Sequence, residues 1–261
     1  MMRTSTGCAT DFSLLAGCFD LMREIARLAL IVPLLAAMPV GAQSIRGAVL
    51  ARNEPHHHLT YEDSTLRVLR VRVAPRDTTL LHEHDPDYFW IALGPSEVVN
   101  AKPGVPDATI KSADRSIHYT PGNFAHIARN PGTVPFDNIT VELLRPQSNV
   151  HNLCEPALAG AKLSCGDSTE FAGVSTHPAF ATNQLRVSLV TIPGNTTMMS
   201  GQTGRGAWLI ALDTADTKSA LVLDAAGHWR GGVYHAPRSS WRVRNSGPTA
   251  VRLLVVVPKR A

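Results

Sequence analysis

The sequence is poor in aromatic and charged residues and has no block of basic residues. Of its 261 residues, 6% are aromatic and 18% are charged, and the formal net charge is only +4. Because no run of Lys and Arg concentrates this small excess, a nucleic-acid-binding surface is not expected. The hydrophobic content of 44% is sufficient for a packed core and excludes wholesale disorder. The length allows one large domain or two of ordinary size.

Long apolar runs are also missing, apart from a short one near the beginning of the chain. Residues 22–42 start with two arginines, continue through an apolar run that contains Pro33, and end in small residues. This run is shorter than the roughly 20 residues that span a bilayer. The layout is typical of a secretory signal peptide. We therefore predict a leader over residues 1–42, translation from Met22, and export, with the bacterial periplasm as the expected location.

Cysteine is scarce, and two of the four cysteines, Cys8 and Cys18, fall in the predicted leader. The remaining pair, Cys154 and Cys165, lies close together in the sequence, and such a pair in an exported protein is expected to form a disulfide. The alternative is a metal site built on the two thiols, for which His151 is the only nearby partner.

The chain after the leader contains the same unit twice. A Leu-Arg-Val triplet at 66–68 recurs at 185–187, and Ile-Ala-Leu at 91–93 recurs at 210–212, so both pairs share an offset of 119 residues. A shared offset of this length indicates a duplicated domain rather than a solenoid. We predict an N-terminal domain over 43–150, a connector over 151–169 and a C-terminal domain over 170–261.

Each copy has the pattern of an all-β domain. Short runs rich in Val, Ile, Leu and aromatic residues alternate with clusters of Gly, Pro, Asp and Asn. Only residues 155–162 could form a short helical turn. Many short strands separated by turns are typical of a sandwich or a barrel. The predicted strands are 66–73, 88–93, 116–119 and 139–144 in the first copy and 185–192, 207–212, 219–223 and 251–257 in the second.

Histidine, by contrast, is abundant, with 11 residues, and three of them form a pattern that suits a metal. His82 and His84 alternate along a strand, so both side chains face the barrel interior while Glu83 faces outwards. A Pro-Gly turn then brings His126 to the head of another strand. Three neutral imidazoles suit Fe, Mn, Zn, Cu or Ni, and an added carboxylate favours Fe or Mn. Such a ligand set leaves positions open for water or substrate.

These motifs resemble those of the cupin family. The first cupin motif has His-x-His, then a carboxylate and a Gly seven residues later, as Asp87 and Gly94 are spaced here. The second has Pro-x-Gly, then His, then Asn four residues on, as His126 and Asn130 are spaced. The resemblance spans residues 60–147 and extends further through the repeat. It implies an all-β fold of two cupin-like barrels of the jelly-roll or double-stranded β-helix type.

The resemblance also implies a divalent transition metal, Fe, Mn, Zn, Cu or Ni, with His82, His84, Asp87 and His126 as ligands. The sequence departs from the family pattern at Asp87, which follows the second histidine by only three residues and is shorter than the usual Glu. Asp85 or a water molecule are therefore alternatives for that place.

The second copy lacks these ligands, and we expect it to act as a packing partner. Met198, Met199 and Trp241 alternatively line an apolar ligand pocket. At the common offset of 119, the positions of His82, His84 and Asp87 hold Gly201, Thr203 and Gly206. The match of Asn130 with Asn245 places Trp241 at the position of His126.

The family includes dioxygenases, oxidases, isomerases and non-catalytic binders, so the fold alone does not fix the reaction. We predict an exported small-molecule metalloenzyme, with Asp87 as ligand or base and Tyr88 at the pocket wall. The competing hypothesis is a periplasmic ligand-binding or sensing protein with a structural metal. The expected partners are a small molecule and, in a homodimer, a second copy of the chain. We expect no binding to nucleic acid and no stable membrane span. The triplet His56–His58 is a loop, an adventitious metal patch or a segment that reaches the barrel mouth.

Overall fold

The computed structural model describes most of the chain that follows the predicted leader. The leader itself, with Met22, lies outside the described residues, as do Gly201 and Thr203 of the second copy. One compact unit, Ala42–Ala261, contains everything that is described. The described ranges are 47–166, 169–171, 173–199, 206–212, 221–223, 232–236 and 241–259.

The first half of the chain forms two five-stranded sheets, with the strand orders β1-β4-β9-β6-β7 and β2-β3-β10-β5-β8. A single 3-10 turn, η1, precedes β2. The elements are β1 (Val49–Leu50), η1 (Ala51–Asn53), β2 (His57–Glu62), β3 (Leu66–Val73), β4 (His82–His84), β5 (Tyr88–Ala92), β6 (Ser96–Ala101), β7 (Ala108–Ser112), β8 (Ile117–Thr120), β9 (Phe124–Arg129) and β10 (Phe136–Leu143).

The described segments of the second half form two further sheets. One has the order β11-β13-β14-β20-β16-β18, with β12 paired to β13, and the other has the order β15-β19-β17. The strands are β11 (His151–Asn152), β12 (Thr169–Phe171), β13 (Val174–Ala181), β14 (Leu185–Ile192), β15 (Thr197–Met199), β16 (Ala207–Ala211), β17 (Leu221–Leu223), β18 (Val233–Ala236), β19 (Arg242–Asn245) and β20 (Val251–Pro258).

The duplicated Leu-Arg-Val triplets begin two equivalent long strands, β3 and β14. Both are rich in β-branched residues, which favour strands, and both have the bounds that the sequence predicts. In each half the long strand pairs antiparallel over eight residues with the last strand of that half, β3 with β10 and β14 with β20. An equivalent antiparallel pair of strands that are distant in sequence therefore lies at the centre of the main sheet of each half.

Asn130 and Asn245, which the sequence matches to each other, hold the same kind of turn. The amide of each donates to a carbonyl four residues later, to Val134 at 2.8 Å and to Thr249 at 2.7 Å. The side-chain oxygen of each accepts from the backbone N–H two residues later. Both side chains are buried, so these bonds satisfy polar groups that would otherwise be unpaired. A duplicated unit would produce this shared pattern, while the domain bounds stay a prediction.

The predicted all-β class is confirmed, since the described residues contain strands and η1 but no α-helix. Residues 155–162, predicted as the one place for a helical turn, form bends and turns instead. The other predicted strands that are fully described differ from the observed ones by one to three residues at their ends. No described helix is long and apolar enough to cross a bilayer.

One apolar core joins the two halves. Phe89 and Tyr119 of the first half meet Phe180 of the second at ring-centroid distances of 5.1 and 5.5 Å. The ring planes are inclined at 70° and 66°, which is the edge-to-face arrangement that aromatic pairs prefer. A polar contact reinforces the junction, because Trp208 donates its indole N–H to the carboxylate of Asp63 at 2.7 Å.

The predicted disulfide between Cys154 and Cys165 is confirmed, with the two Cα atoms 4.4 Å apart. The loop that it closes is also held from inside, because the buried Asn152 side chain bonds the backbone of residues 158 and 161. His151, the partner in the alternative thiol metal site, is exposed and donates to the Asn149 carbonyl instead.

Candidate metal centre

Four histidines from three strands gather inside the first half. Strands β4 and β9 pair antiparallel with His82 opposite His126, so these two side chains share one face of their sheet. His84 lies two residues after His82 and points to the same face. His57 begins β2 of the other sheet and approaches from there. The ring centroid of His82 is 4.6 Å from that of His57, 5.2 Å from that of His84 and 4.4 Å from that of His126.

The four rings border one small cavity of about 40 Å³. His57, His82 and His84 each offer a ring nitrogen, and these nitrogens lie within 4.8 Å of one another. His126 adds a fourth ring on the same side, 5.5 Å from His84 between centroids. The three histidines that the sequence predicts are therefore brought together, and a fourth joins them.

Each of these imidazoles has its Nδ1 atom hydrogen-bonded to an oxygen. Because carboxylate and carbonyl oxygens accept, the ring proton is on Nδ1 and the Nε2 lone pair is free to bind a metal. The four bonds run from His57 to Glu54 at 2.6 Å, from His82 to the Leu80 carbonyl at 2.9 Å, from His84 to Glu142 at 3.0 Å and from His126 to the Asn100 side-chain oxygen at 2.8 Å.

Two of the Nε2 atoms are buried and have no hydrogen-bond partner among the described residues, those of His82 and His126. Leaving a buried polar group unpaired costs about 1–3 kcal/mol. Two such atoms beside the same cavity indicate that a bound ligand contacts both nitrogens. A transition-metal ion fits, because it is the common partner of converging neutral imidazoles.

The electrostatics keep the rings of His57, His82 and His126 neutral. Burial lowers the pKa of His82 to about 3, and the neighbouring histidines His57 and His84 act in the same direction. Burial also lowers the pKa of His126 well below its ordinary value, helped by the same neighbours. The pKa of His57 is lowered by burial in spite of its bond to Glu54. At neutral pH the lone pairs are therefore available without loss of a proton.

A buried carboxylate supports His84 from behind. Glu142 on β10 accepts from His84 with one oxygen and from Arg67 with the other. Burial acts to raise the pKa of Glu142, but His84 and Arg67 outweigh it and the pKa is lowered. Such a carboxylate fixes the orientation of a ligating ring and raises its basicity.

Asp87, predicted as ligand or base, does not join the cluster. Its two carboxylate oxygens accept from the Tyr119 hydroxyl and from the Gly122 backbone N–H. A Cβ atom at Gly122 would lie 2.3 Å from the Asp85 carbonyl oxygen, so the Pro-Gly turn packs directly on the loop before Asp87. The structure thus differs from the predicted role, because this carboxylate ties the turn to the loop. Among the described residues, no carboxylate lines the histidine cavity.

Tyr88 lies at the cavity wall, where the sequence predicts it. Its ring stacks on that of His84 at a centroid distance of 4.1 Å and an interplanar angle of 20°. Burial raises the pKa of Tyr88, so its hydroxyl stays protonated at neutral pH. The structure shows Tyr88 as a buried wall that orients His84, and its role in catalysis stays a prediction.

The sequence leaves the triplet His56–His58 as a loop, a metal patch or a segment at the barrel mouth and does not single out His57, which the structure places in the cluster. The available signal was the triplet itself, because consecutive residues on a strand face opposite sides. His57 is 7% exposed, whereas His58 is exposed and His56 half-buried. One position of the triplet thus faces the interior and its neighbours do not.

The second half contains no comparable set at its described positions. Met198 and Trp241, at the strands that correspond to β4 and β9, belong to the apolar core of that half. Met199 is 64% exposed, so the three residues do not line a common pocket.

Asp87→Asn is expected to leave the metal content of the protein unchanged and to lower its stability by about 1–3 kcal/mol, because the bonds to Tyr119 and Gly122 are weakened. Metal analysis and urea unfolding check this. Asp114→Asn, at an exposed carboxylate that also accepts a backbone N–H, is the matched control. Loss of metal with unchanged stability would make Asp87 a ligand after all.

By sequence, no family model and no curated protein matches the chain. Its structure is similar to AerE from Microcystis aeruginosa, with a TM-score of 0.55 and 14% identity over 79% of this chain and 94% of that one. It is also similar to oxalate decarboxylase from Bacillus subtilis, in a structure described for its Mn(II) centres, with a TM-score of 0.51 and 12% identity over 77% and 74% of the two chains. The protein therefore has the cupin fold.

Proposed function

We propose that the protein is a metalloenzyme that binds one divalent transition metal through the Nε2 atoms of His57, His82, His84 and His126. The supporting observation is the convergence of four imidazoles, each with its Nδ1 atom hydrogen-bonded to an oxygen, on one cavity. When bound, such a metal supplies Lewis acidity or redox chemistry at the positions that the imidazoles leave open.

The residues around the histidines fit a small reacting molecule. Val71, Trp90 and Phe136 give the cavity apolar walls that exclude water. Thr140 and Asn138 supply its polar groups, with the Thr140 hydroxyl donating to the Asn138 side-chain oxygen at 2.9 Å. A hydroxyl and an amide in this position can hydrogen-bond an oxygen-rich ligand and fix its orientation.

The size of the cavity limits what reaches the metal. Its volume of about 40 Å³ is small beside the roughly 300–1,000 Å³ of pockets that enclose drug-sized ligands. A molecule of a few atoms, such as dioxygen, or the end of a longer oxygen-rich substrate therefore fits beside an ion. This favours dioxygenase or oxidase chemistry over reactions that enclose a large substrate.

The same small volume favours one alternative, a non-catalytic cupin whose metal is structural. Four imidazole ligands without a carboxylate also suit a closed tetrahedral site. This donor set suits Zn, Cu, Fe or Ni, and without a carboxylate ligand the preference for Fe or Mn weakens.

Export is part of the proposal. The predicted leader and the disulfide Cys154–Cys165 both support it, because disulfides persist in oxidising compartments such as the periplasm. A small molecule as partner follows from the cavity, and a homodimer stays a prediction.

Metal analysis of untagged wild-type protein tests the proposal, since a polyhistidine tag would itself carry metal. We expect about one transition-metal ion per chain. Azide should then change the visible spectrum of the Co²⁺-substituted protein, and the protein with its native metal should consume oxygen with a diol or a phenolic substrate. Protein that binds no metal would refute the site. A fully loaded metal that ignores azide and dioxygen would establish the structural alternative.

A further inference from the structure

A buried carboxylate, Glu54, lies behind two of the four histidines and has no part in the proposed reaction. It follows η1 and is only 1% exposed. We infer that Glu54 is a positioning residue of the metal centre, which fixes His57 directly and His82 through the backbone of Leu80. The inference rests on the proposed function, because it concerns the ligands of the same metal.

Both oxygens of Glu54 are fully engaged. One accepts from the His57 ring at 2.6 Å and from the His56 backbone N–H at 2.8 Å. The other accepts from the His56 ring at 2.9 Å and from the Leu80 backbone N–H at 3.1 Å. All four bonds are donated to Glu54 and none by it, which is the pattern of an ionised carboxylate. The group is therefore a carboxylate at neutral pH.

The bond to Leu80 extends the influence of Glu54 to a second ligand. The N–H of Leu80 donates to Glu54, and the carbonyl of Leu80 accepts from the His82 ring at 2.9 Å. The two groups belong to successive peptide units on either side of the Leu80 Cα atom, so Glu54 acts on His82 by holding the backbone of Leu80 in place. One carboxylate thus sets the orientation of two rings on different sheets, His57 on β2 and His82 on β4.

The segment that carries Glu54 is fixed at both ends. Before it, β1 pairs in parallel with β4, with Val49 opposite His82. After it, β2 pairs with β3, with His57 opposite Val71. These two pairings hold the backbone of Glu54 in place, so its carboxylate stays beside the histidines.

His56 forms the outer anchor of the arrangement. Its second ring nitrogen bonds the exposed carboxylate of Asp77 at 2.9 Å. The three histidines therefore differ in position. His56 links Glu54 to the exposed Asp77, His57 faces the metal cavity, and His58 is exposed to solvent.

The charge of Glu54 argues for a role beyond packing. A buried ionised carboxylate is costly unless a positive charge compensates it. Its side-chain partners are two histidines. His56 donates from both ring nitrogens, so it shares one positive charge between Glu54 and Asp77, whereas the Glu54 oxygen that bonds His57 faces a ring with no such charge. A metal ion bound to His57 and His82 would place positive charge on the rings that Glu54 and Leu80 hold. A carboxylate behind a ligating histidine typically changes metal affinity by 10- to 100-fold.

The test compares the untagged wild-type protein with Glu54→Gln, with Co²⁺ as the probe. Gln keeps the size of the side chain but has one acceptor oxygen instead of two, so its amide NH2 must face the N–H donors on either the His57 side or the Leu80 side. We expect Co²⁺ to bind about 10- to 100-fold more weakly, with a shifted visible absorption band. We also expect a smaller rise in unfolding temperature on loading. Glu97→Gln, at an exposed carboxylate 3.5 Å from Lys111, should behave like the wild type.

The outcomes separate positioning from packing. A purely structural Glu54 would lower the unfolding temperature of the metal-free variant but leave its Co²⁺ affinity and spectrum unchanged, which would overturn the inference. If Glu54→Gln does not fold, Glu54→Asp gives the same comparison, because it keeps the charge and shortens the reach by one methylene. Wild-type protein that fails to bind Co²⁺ would refute the proposed function itself, whereas equal binding by wild type and variant refutes the inference alone.

Discussion

Replacing His82 by alanine is expected to reduce bound metal from about one ion per chain to less than about a tenth of that. His82 is fully buried, and its ring lies between those of His57 and His126. Structural zinc sites bind with about 10–16 kcal/mol, so each of four ligands contributes about 3 kcal/mol on average, or about a hundredfold in affinity. Among the described residues that line the cavity, the only imidazoles left are the other three ligands, so none is spare to replace His82.

The measurement is metal content per chain after dialysis against a weak chelator, with far-UV circular dichroism to show that the β-fold persists. His118→Ala is the matched control. His118 is also partly buried, but it stacks on the Trp90 ring at 4.1 Å and does not border the histidine cavity. Full metal content in His82→Ala, or equal loss in His118→Ala, would show that the metal binds elsewhere.

A pair of neighbouring variants resolves the number of ligands. His57→Ala should weaken metal binding and change the ligand field, while His58→Ala should do neither, because His58 is exposed on the same strand. If the two variants behave alike, the centre is held by three histidines, His82, His84 and His126.

The parts of the site that the sequence predicts are those set by local rules. The alternation of His82 and His84 along a strand places both on one face whatever the rest of the fold does. The turn before His126 is likewise a local feature. The strands β3 and β14 were predictable because β-branched and other apolar residues recur along eight residues without a Gly or Pro.

The remainder depends on how distant strands come together. Glu142 reaches His84 across 58 positions of the chain, and Glu54 reaches Leu80 across 26. Neither contact can be predicted from the local sequence, because the pairing of distant strands determines both. Asp87 shows the opposite case, in which a local pattern predicts a role that the fold does not support. Its spacing fits a ligand motif, but its oxygens accept from the Tyr119 hydroxyl on β8 and from the Gly122 N–H in the following turn.

Phe180→Ala is expected to destabilise the whole protein by about 3–5 kcal/mol, the usual cost of emptying a buried aromatic site. Phe180 belongs to the second half, is fully buried and packs against Phe89 and Tyr119 of the first half. Tyr119 donates to Asp87, so the emptied site also loosens the loop that follows β4. Phe180→Leu, which retains most of the volume, should cost less than half as much.

The two halves should then unfold together, because they share this core within one compact unit. Urea unfolding followed by circular dichroism and by Co²⁺ release should give one coincident transition in the wild type, moved to lower urea by Phe180→Ala. Phe136→Ala is the informative comparison, since Phe136 packs only in the core of the first half, beside the metal cavity. In a coupled protein both variants move the same transition. If Phe180→Ala instead left Co²⁺ release where it was and moved only the circular dichroism, the metal-binding half would be stable by itself.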